Sequence, residues 1–389
     1  MTLAFLIYQY FPYGGQQRDF RRIAERCVAA GYQIRVYCLK WQGDIPDGLT
    51  VVKVPVSAVS RHVMYQRFSE WVSAALKQKP VAAVVGFSKM PGLDVYFAAD
   101  PCFAERMRRE GRLITRLLPR YRHFMRHEEA VFGPDSSTTV MLLSPRQQQD
   151  FVYHYRDCGR RLHRLPPGLD RDRVPGADAP ALRQRFRKQF GVQDDEHAVL
   201  QIGSGFRVKG LDRSLRALAA LPEPVRNKTR FFIVGQDKPA KYQRLARRLG
   251  IRQQCQFLGG RDDVPMFLQG CDLLLHPALS ESAGYTLLEA VINGLPVLTT
   301  DTCGYAFHVS DAGAGQVCPS PFVQKDLNAR LHEMLISSDR SRWQNNGLAY
   351  AKKVNLFGLA DAALAIIEQV LREKSTSENG DDNDIASAC

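Results

Sequence analysis

A chain of 389 residues, 45% apolar and 24% charged, is globular in composition and long enough for two ordinary domains, each with its own core. No apolar run reaches the roughly 18 residues of a spanning helix, and the nine cysteines show neither a C-x-x-C pair nor metal spacing, which suits small core residues in a reducing cytosol. The net charge of +13, with arginines concentrated between Arg106 and Arg126, calls for an anionic partner, and nucleic acid, membrane lipid and phosphorylated substrate all qualify.

The chain opens on an apolar run, Leu3 to Tyr10, that lacks a basic leader and runs into a glycine turn, so it reads as a first strand and not as a signal peptide. A helix pattern from Asp19 to Ala30, a stop at Gly31 and a strand from Gln33 to Leu39 complete a strand–turn–helix–strand unit, the opening of a doubly wound α/β domain. Gly14 and Gly15 then fall at the carboxyl end of the first strand, where such folds bind ligands, although many Gly-Gly pairs are only tight turns. Neither G-x-G-x-x-G nor G-x-x-x-x-G-K-[ST] is present. Further strands are expected at Val51 to Val54, Ala82 to Gly86, Val95 to Ala99 and Thr139 to Ser144.

A second α/β domain is expected from about Arg164. Its strands read as Ala198 to Gly203, Thr229 to Gly235, Gln256 to Leu258, Leu273 to His276 and Pro296 to Thr300, with helices at Leu211 to Leu221 and Pro239 to Leu249. Two such halves form a cleft, the usual place for a ligand. A helix from Leu359 to Arg372 follows, and after Lys374 the polar, acidic tail carries no periodicity and is expected to be disordered.

The segment His276 to Thr300 holds the densest chemistry. Leu287, Leu288, Val291 and Ile292 form an apolar stripe, which leaves Glu289 on another face of the helix. Gly284, Tyr285 and Thr286 stand at the helix start, where backbone N–H groups and the helix dipole attract an anion. Glu281, eight residues before Glu289, lies in the turn ahead, so two carboxylates flank the anion position. Such a site suits a phosphorylated sugar, whose hydroxyls need strong acceptors. By itself a Glu-x7-Glu pair is equally a pair of glutamates that favour a helix start. The turn Gly203-Ser-Gly-Phe-Arg-Val-Lys-Gly offers glycines for close approach to phosphate, with Arg207 and Lys209 to neutralise a growing diphosphate charge; the ordinary alternative is a basic surface turn.

Glu-x7-Glu between a strand and an apolar helix, followed by "NGLPV", resembles the signature of the retaining GT-B glycosyltransferases. More narrowly, "YFPYGGQQRDF", "VVGFSKMPGLDVYFAADPCFAE", "RYRHF", "LPPG", "VGQDKP" and "LEAVINGLPVLTT" resemble the lipopolysaccharide core glucosyltransferases that add the first hexose to an inner-core heptose. The resemblance spans about residues 2 to 370. It implies an α/β fold of two Rossmann-like domains facing across a cleft. The acceptor-binding domain would be 1–163, the UDP-sugar domain 164–355, and a helix at 356–374 would cross back to the first.

By the same resemblance, Glu281 contacts the donor sugar and Glu289 the ribose, while Lys209 and Arg207 hold the diphosphate. Arg207 is displaced by one residue from the family position, which Val208 occupies here. Arg261, in "FLGGRDDVP", is implied beside the base, and Arg173 as a phosphate ligand. Gly14, Gly15 and Asp19 match the acceptor-facing turn, and Asp100 stands where other branches place a donor-contacting histidine; Asp100 is equally placed to cap a helix ahead of Pro101. No cofactor and no metal are expected. Asp170-Arg-Asp172 has D-x-D spacing but follows the linker, and Lys209 with the helix start at Gly284 takes the cation's place.

From Phe103 to Phe132, Arg106, Arg108, Arg109, Arg112, Arg116, Arg120, Arg122 and Arg126 alternate with apolar residues. Such a helical pair suits an anionic membrane surface, here the cytoplasmic face of the inner membrane, where each arginine contributes about 1 kcal/mol; the simpler alternative is an ordinary surface pair packing its leucines inward. Nucleic acid is disfavoured because no stacking platform or recognition helix is evident. Two other function classes fit in part: a UDP-sugar enzyme of the same shape such as a 2-epimerase, which needs no basic run, and a non-catalytic basic membrane- or nucleic-acid-binding protein, which needs no diphosphate cradle.

Overall fold

The computed structural model describes residues 1–12, 14–110 and 113–386, with side chains outside the description at 110, 113, 114 and 377–386. The chain forms two compact units, Met1–Gly168 with Leu356–Cys389, and Leu169–Asn355.

The first unit is built on a parallel seven-stranded sheet. Its strands are β1 (Thr2–Leu6), β3 (Gln33–Cys38), β5 (Leu49–Lys53), β6 (Ala83–Gly86), β7 (Val95–Phe97), β8 (Thr139–Leu142) and β9 (Leu162–Arg164); β2 (Gln9–Tyr10) and β4 (Lys40–Trp41) pair apart from it. The order β5-β3-β1-β6-β7-β8-β9 grows outward in both directions from β1, so the connections reverse between β1 and β6. β1 is buried on both faces, as a strand covered by helices on both sides must be. Ala4 and Leu6 point into one core with Phe68, Tyr96 and Phe132, whereas Phe5 meets Phe20 and Phe87 at 5.9 and 5.5 Å.

The second unit has a parallel six-stranded sheet, ordered β12-β11-β10-β13-β14-β15. These are β10 (His197–Ile202), β11 (Thr229–Val234), β12 (Cys255–Phe257), β13 (Leu273–His276), β14 (Val297–Thr300) and β15 (Gly315–Cys318). Along β10, Ala198, Leu200 and Ile202 enter one core while Val199 enters the other. The reversal here lies between β10 and β13. At the opposite end of β13, the buried Asp272 accepts from the Ala198 amide at 2.8 Å and pairs with Arg183, Arg187 and Arg340, which ties the helices Ala179–Phe190 and Arg340–Ala351 to the sheet.

Several boundaries differ from the sequence reading; the first strand, for one, ends at Leu6 rather than at Tyr10. The first unit extends to Gly168 rather than to residue 163, because Leu162–Arg164 is the sheet's edge strand, pairing with β8. The first helix begins at Gly15, four residues before the expected start. The last helix, Leu359–Ala386, continues past Lys374, where a disordered tail was expected; no proline interrupts it, and the hydroxyls of Ser375 and Thr376 both donate to the Arg372 carbonyl at 2.9 Å. Residues 387–389 lie outside the described residues. This helix belongs to the first unit: Asp361 pairs with Arg26, Glu368 accepts from Tyr32 at 3.5 Å and Lys374 meets Asp94 at 2.9 Å. Among the described residues no helix is long and apolar enough to cross a membrane, and the eight described cysteines are buried and free.

Candidate active site

In the second unit the loops leaving β10 and β13 meet at the topological switch point, where ligands bind in open parallel sheets. The β10 loop bends back through Gly210 in the left-handed region at φ 70°, where an added Cβ would lie 2.0 Å from the Pro277 carbonyl oxygen. That close approach brings Lys209 onto the β13 loop. Its ammonium pairs with Oε1 of Glu281, while Oε2 is met by His276 Nε2 at 2.9 Å and by the Cys303 thiol at 3.5 Å. The loop backbone is fastened too: the Glu281 amide donates to Thr302 at 3.1 Å, and the Gly304 amide donates to Glu281 at 2.8 Å. Desolvation by itself raises the Glu281 carboxyl, but the Lys209 charge and the His276 hydrogen bond outweigh it and hold the group well below the usual carboxylate range. The arrangement presents a carboxylate acceptor, favoured in its ionised form, beside a cation.

Gly284 follows at φ 101° and opens the helix Tyr285–Ile292; a Cβ there would meet Cys303 Sγ at 2.3 Å. Tyr285 stacks edge-on against Tyr305 at 5.3 Å, and Thr286 is partly exposed. Glu289, on the same helix, is only 6% exposed. Arg207 is exposed in the same turn as Lys209.

Arg261 and Arg173 are placed differently from expectation. Arg261 makes a two-pronged bond to Asp263 at 2.8 and 2.6 Å and lies 5.6 Å from the Phe267 ring, so it is engaged within its own loop. Arg173 lies in the short turn Arg171–Arg173, its carbonyl accepting from Asn293 at 2.7 Å. Asn293 ends the helix that Gly284 begins, so Arg173 is fastened to the far end of that helix. Its Nε is buried without a hydrogen-bond partner, with Asp172 Oδ1 3.6 Å away.

One set of donors among the described residues fits a metal. His276, Glu281 and Cys303 place their ligating atoms within 4.8 Å of one another. His276 and Cys303 already bond to Glu281, Lys209 holds the same carboxylate, and His276 Nδ1 has no hydrogen-bond partner, unlike the oriented imidazoles of most metal sites.

The first unit carries a cavity of about 440 Å³ at its own switch point, lined by residues that follow β1 and β6. Asp100 lines it. Desolvation raises this carboxyl against the pull of Lys89 and Arg106, yet it stays open to the solvent of the cavity. The expected capping role falls elsewhere: the helix Phe103–Glu110 starts after Asp100, and the buried Glu128 accepts its first amides, from Phe103 at 2.6 Å and Ala104 at 2.9 Å. Gly14 and Gly15 begin the helix Gly15–Ala29, but the cavity is lined by the next turn, Gln16 and Gln17. Asp19 is 1% exposed and pairs with Arg22 at 2.8 Å, which removes it from the cavity wall.

Comparison with known proteins places these sites in a family. Residues 183–349, which include Lys209, Glu281 and Glu289, match the model described as glycosyl transferases group 1. The lipopolysaccharide glucosyltransferase WaaG of Escherichia coli K12 is 45% identical over 94% of this chain and 98% of its own length. The chain belongs to the group 1 glycosyltransferases. The crystal structure of WaaG, at the same identity, superposes on this glycosyltransferase with a TM-score of 0.88, covering 94% of this chain and 99% of that one. Anabaena HepE in complex with UDP and glucose reaches 0.69 over 95% and 99% at 18% identity, a likeness of fold alone. The fold is GT-B, two Rossmann-like parallel-sheet domains.

Several residues of the glycosyltransferase site escaped the sequence reading. His276 closes a buried strand and reads there as a strand end, and Cys303 is one of nine unpatterned cysteines. In the first unit Tyr65, Lys89 and Glu128 were equally silent, because their proximity arises from three separate crossovers. Glu281 five residues after a strand-end histidine was the one local signal that pointed to the pairing.

The basic run folds as the helices Phe103–Glu110 and Pro119–Phe132 with a 3-10 turn, Leu113–Leu117, between them. Arg108 and Arg109 are not free, since both pair with Glu105, and Arg112 lies outside the described residues. Arg116, Arg120, Arg122 and Arg126 are exposed together with Leu117 (69%) and Leu118 (46%).

Proposed function

We propose that this glycosyltransferase moves a hexose from a UDP-sugar to an inner-core heptose of lipopolysaccharide, with retention at the anomeric carbon. What carries the reading is Lys209, Glu281 and the Gly284 helix start gathered at one switch point, in a chain matched along nearly its whole length by a lipopolysaccharide glucosyltransferase. In the free protein Lys209 faces Glu281; with donor bound, its ammonium turns to the diphosphate oxygens. The first-turn N–H groups of the helix at Gly284 take the remaining charge. Glu281, positioned by its bonds from His276 and Cys303, then accepts from the hexose hydroxyls and fixes the ring.

The reaction breaks the bond from C1 to the diphosphate oxygen and forms the bond from C1 to the acceptor oxygen on the same face. The acceptor proton passes to a departing phosphate oxygen. Because Lys209 and the helix start supply positive charge at the leaving group, no divalent cation is required. The acceptor enters the first unit's cavity, where Asp100 takes a hydroxyl hydrogen bond. The exposed arginines and leucines of 116–126 rest on the anionic cytoplasmic face of the inner membrane, at about 1 kcal/mol per arginine.

The test is transfer itself. Protein incubated with UDP-glucose and heptose-terminated core lipopolysaccharide, in chelator, should add one hexose whose anomeric carbon keeps the donor configuration by NMR. Inversion, or transfer only when a divalent cation is restored, contradicts the mechanism. Release of free UDP and an epimerised sugar without any acceptor points to the epimerase class instead.

A further inference from the structure

We infer that the first unit's cavity recognises an acceptor carrying an oxyanion beside the accepting sugar, with Arg61 and Arg106 reading it; this rests on that cavity being the acceptor site. Among the described residues, the charged groups on its wall are Arg61, Lys89, Asp100 and Arg106. Lys89 is already neutralised, with Nζ 2.5 Å from Glu128 Oε2 and 2.8 Å from the Pro101 carbonyl. Glu128 is consumed in turn by two backbone amides and the Tyr155 hydroxyl at 3.0 Å. His127 is buried, and desolvation, little opposed by its bond to the Lys89 carbonyl, lowers it, so it adds no charge near neutral pH.

What remains is two guanidiniums and one carboxylate. Arg61 starts the helix Arg61–Gln78, and Arg106 lies 5.1 Å from the Phe103 ring; neither makes an ion pair among the described residues. The wall is therefore net positive by one, and its positive charge is arginine, the side chain suited to two-pronged binding of phosphate or carboxylate. Around them Tyr65, itself stacked on Tyr8 at 3.8 Å, Phe103 and Phe124 form an aromatic wall on which the apolar face of a sugar can lie. At about 440 Å³ the cavity has room for a sugar with its substituent. A neutral hexose acceptor would leave Arg61 without an opposite charge and Arg106 with only the pull of Asp100, and a nucleotide donor is provided for in the second unit.

The experiment compares three acceptor probes: a neutral heptose glycoside, the same glycoside bearing a phosphate, and the same glycoside linked to a carboxylated sugar. Each is titrated calorimetrically into the whole protein and then assayed for transfer, using wild type, Arg61→Met and Arg106→Met. Wild type should bind at least one anionic probe about tenfold or more tightly than the neutral one, as expected for a charge-assisted hydrogen bond. Which anionic probe wins assigns the oxyanion as phosphate or carboxylate. Each substitution should weaken that preference, as a rise in KM larger for the anionic probe than for the neutral one, with UDP affinity unchanged. Equal affinity for neutral and anionic probes, binding of none of them, or equal losses on all three in the variants would overturn the inference. Anionic selectivity in binding without any transfer would uphold it while sinking the transferase reading.

Discussion

Gly284 shows how far one residue's geometry constrains the second unit's site. At φ 101° a non-glycine residue costs about 1–2 kcal/mol for the backbone alone, and the added Cβ would press on the Cys303 sulfur that holds Glu281. Gly284→Ala should therefore lose more than that backbone cost in urea unfolding and also lose transfer. Adding Cys303→Ala should return part of the stability but little activity, because one of Glu281's holders is then gone. A double variant no more stable than the single would place the strain elsewhere. The ionisation of Glu281 belongs to the same scale. Its folded value is depressed, so its contribution to stability is full above the ordinary carboxylate range and is lost only as pH falls through the lowered value. An acid limb of activity near neutral pH thus arises from another group.

Among the elements, the helix Pro119–Phe132 carries a second pH dependence. Desolvation, reinforced by His127 and His62, lowers His123 from 6.5 to about 4, and its Nε2 is buried without a partner. Desolvation lowers His127 as well. The folded state refuses protons that the unfolded chain accepts, so stability is full above about 6.5, falls as pH drops toward about 4 and levels off below. His123→Phe keeps the ring contacts with His127 at 4.0 Å and Phe124 at 5.2 Å and should flatten the drop in Tm between those limits. An unchanged slope would mean that the loss comes from other groups. At this scale sequence reading did well for the inner strands of the second unit: Leu273–His276 was expected at its observed bounds, and β10 and β11 within a residue. It missed Leu162–Arg164 and Gly315–Cys318, short edge strands whose partly exposed residues carry no continuous apolar run. It ended the last helix too early because composition reports the absence of a buried face, and a helix can outrun its packed portion.

For the whole molecule, both units repeat one device, a parallel sheet whose connections reverse beside the first strand, and each gathers polar groups at that reversal. Sequence motifs named the second unit's gathered residues, Lys209, Glu281 and Gly284, because these lie on loops whose glycines and neighbours are fixed locally. They reported the first unit's poorly: Asp19 turned inward to Arg22, while Arg61, Lys89 and Arg106 reach one cavity from separate crossovers that no short spacing records. The second unit is proposed to hold a nucleotide diphosphate sugar without metal. Calorimetric titration of UDP and UDP-glucose in chelator, with ADP- and GDP-glucose as controls, is the deciding experiment, using wild type, Lys209→Ala and Glu289→Ala. Saturable UDP-sugar binding that weakens at least tenfold in both variants is the expected result, a tenfold loss being about 1.4 kcal/mol. Absence of UDP binding, or Glu289→Ala binding as tightly as wild type, would contradict the account.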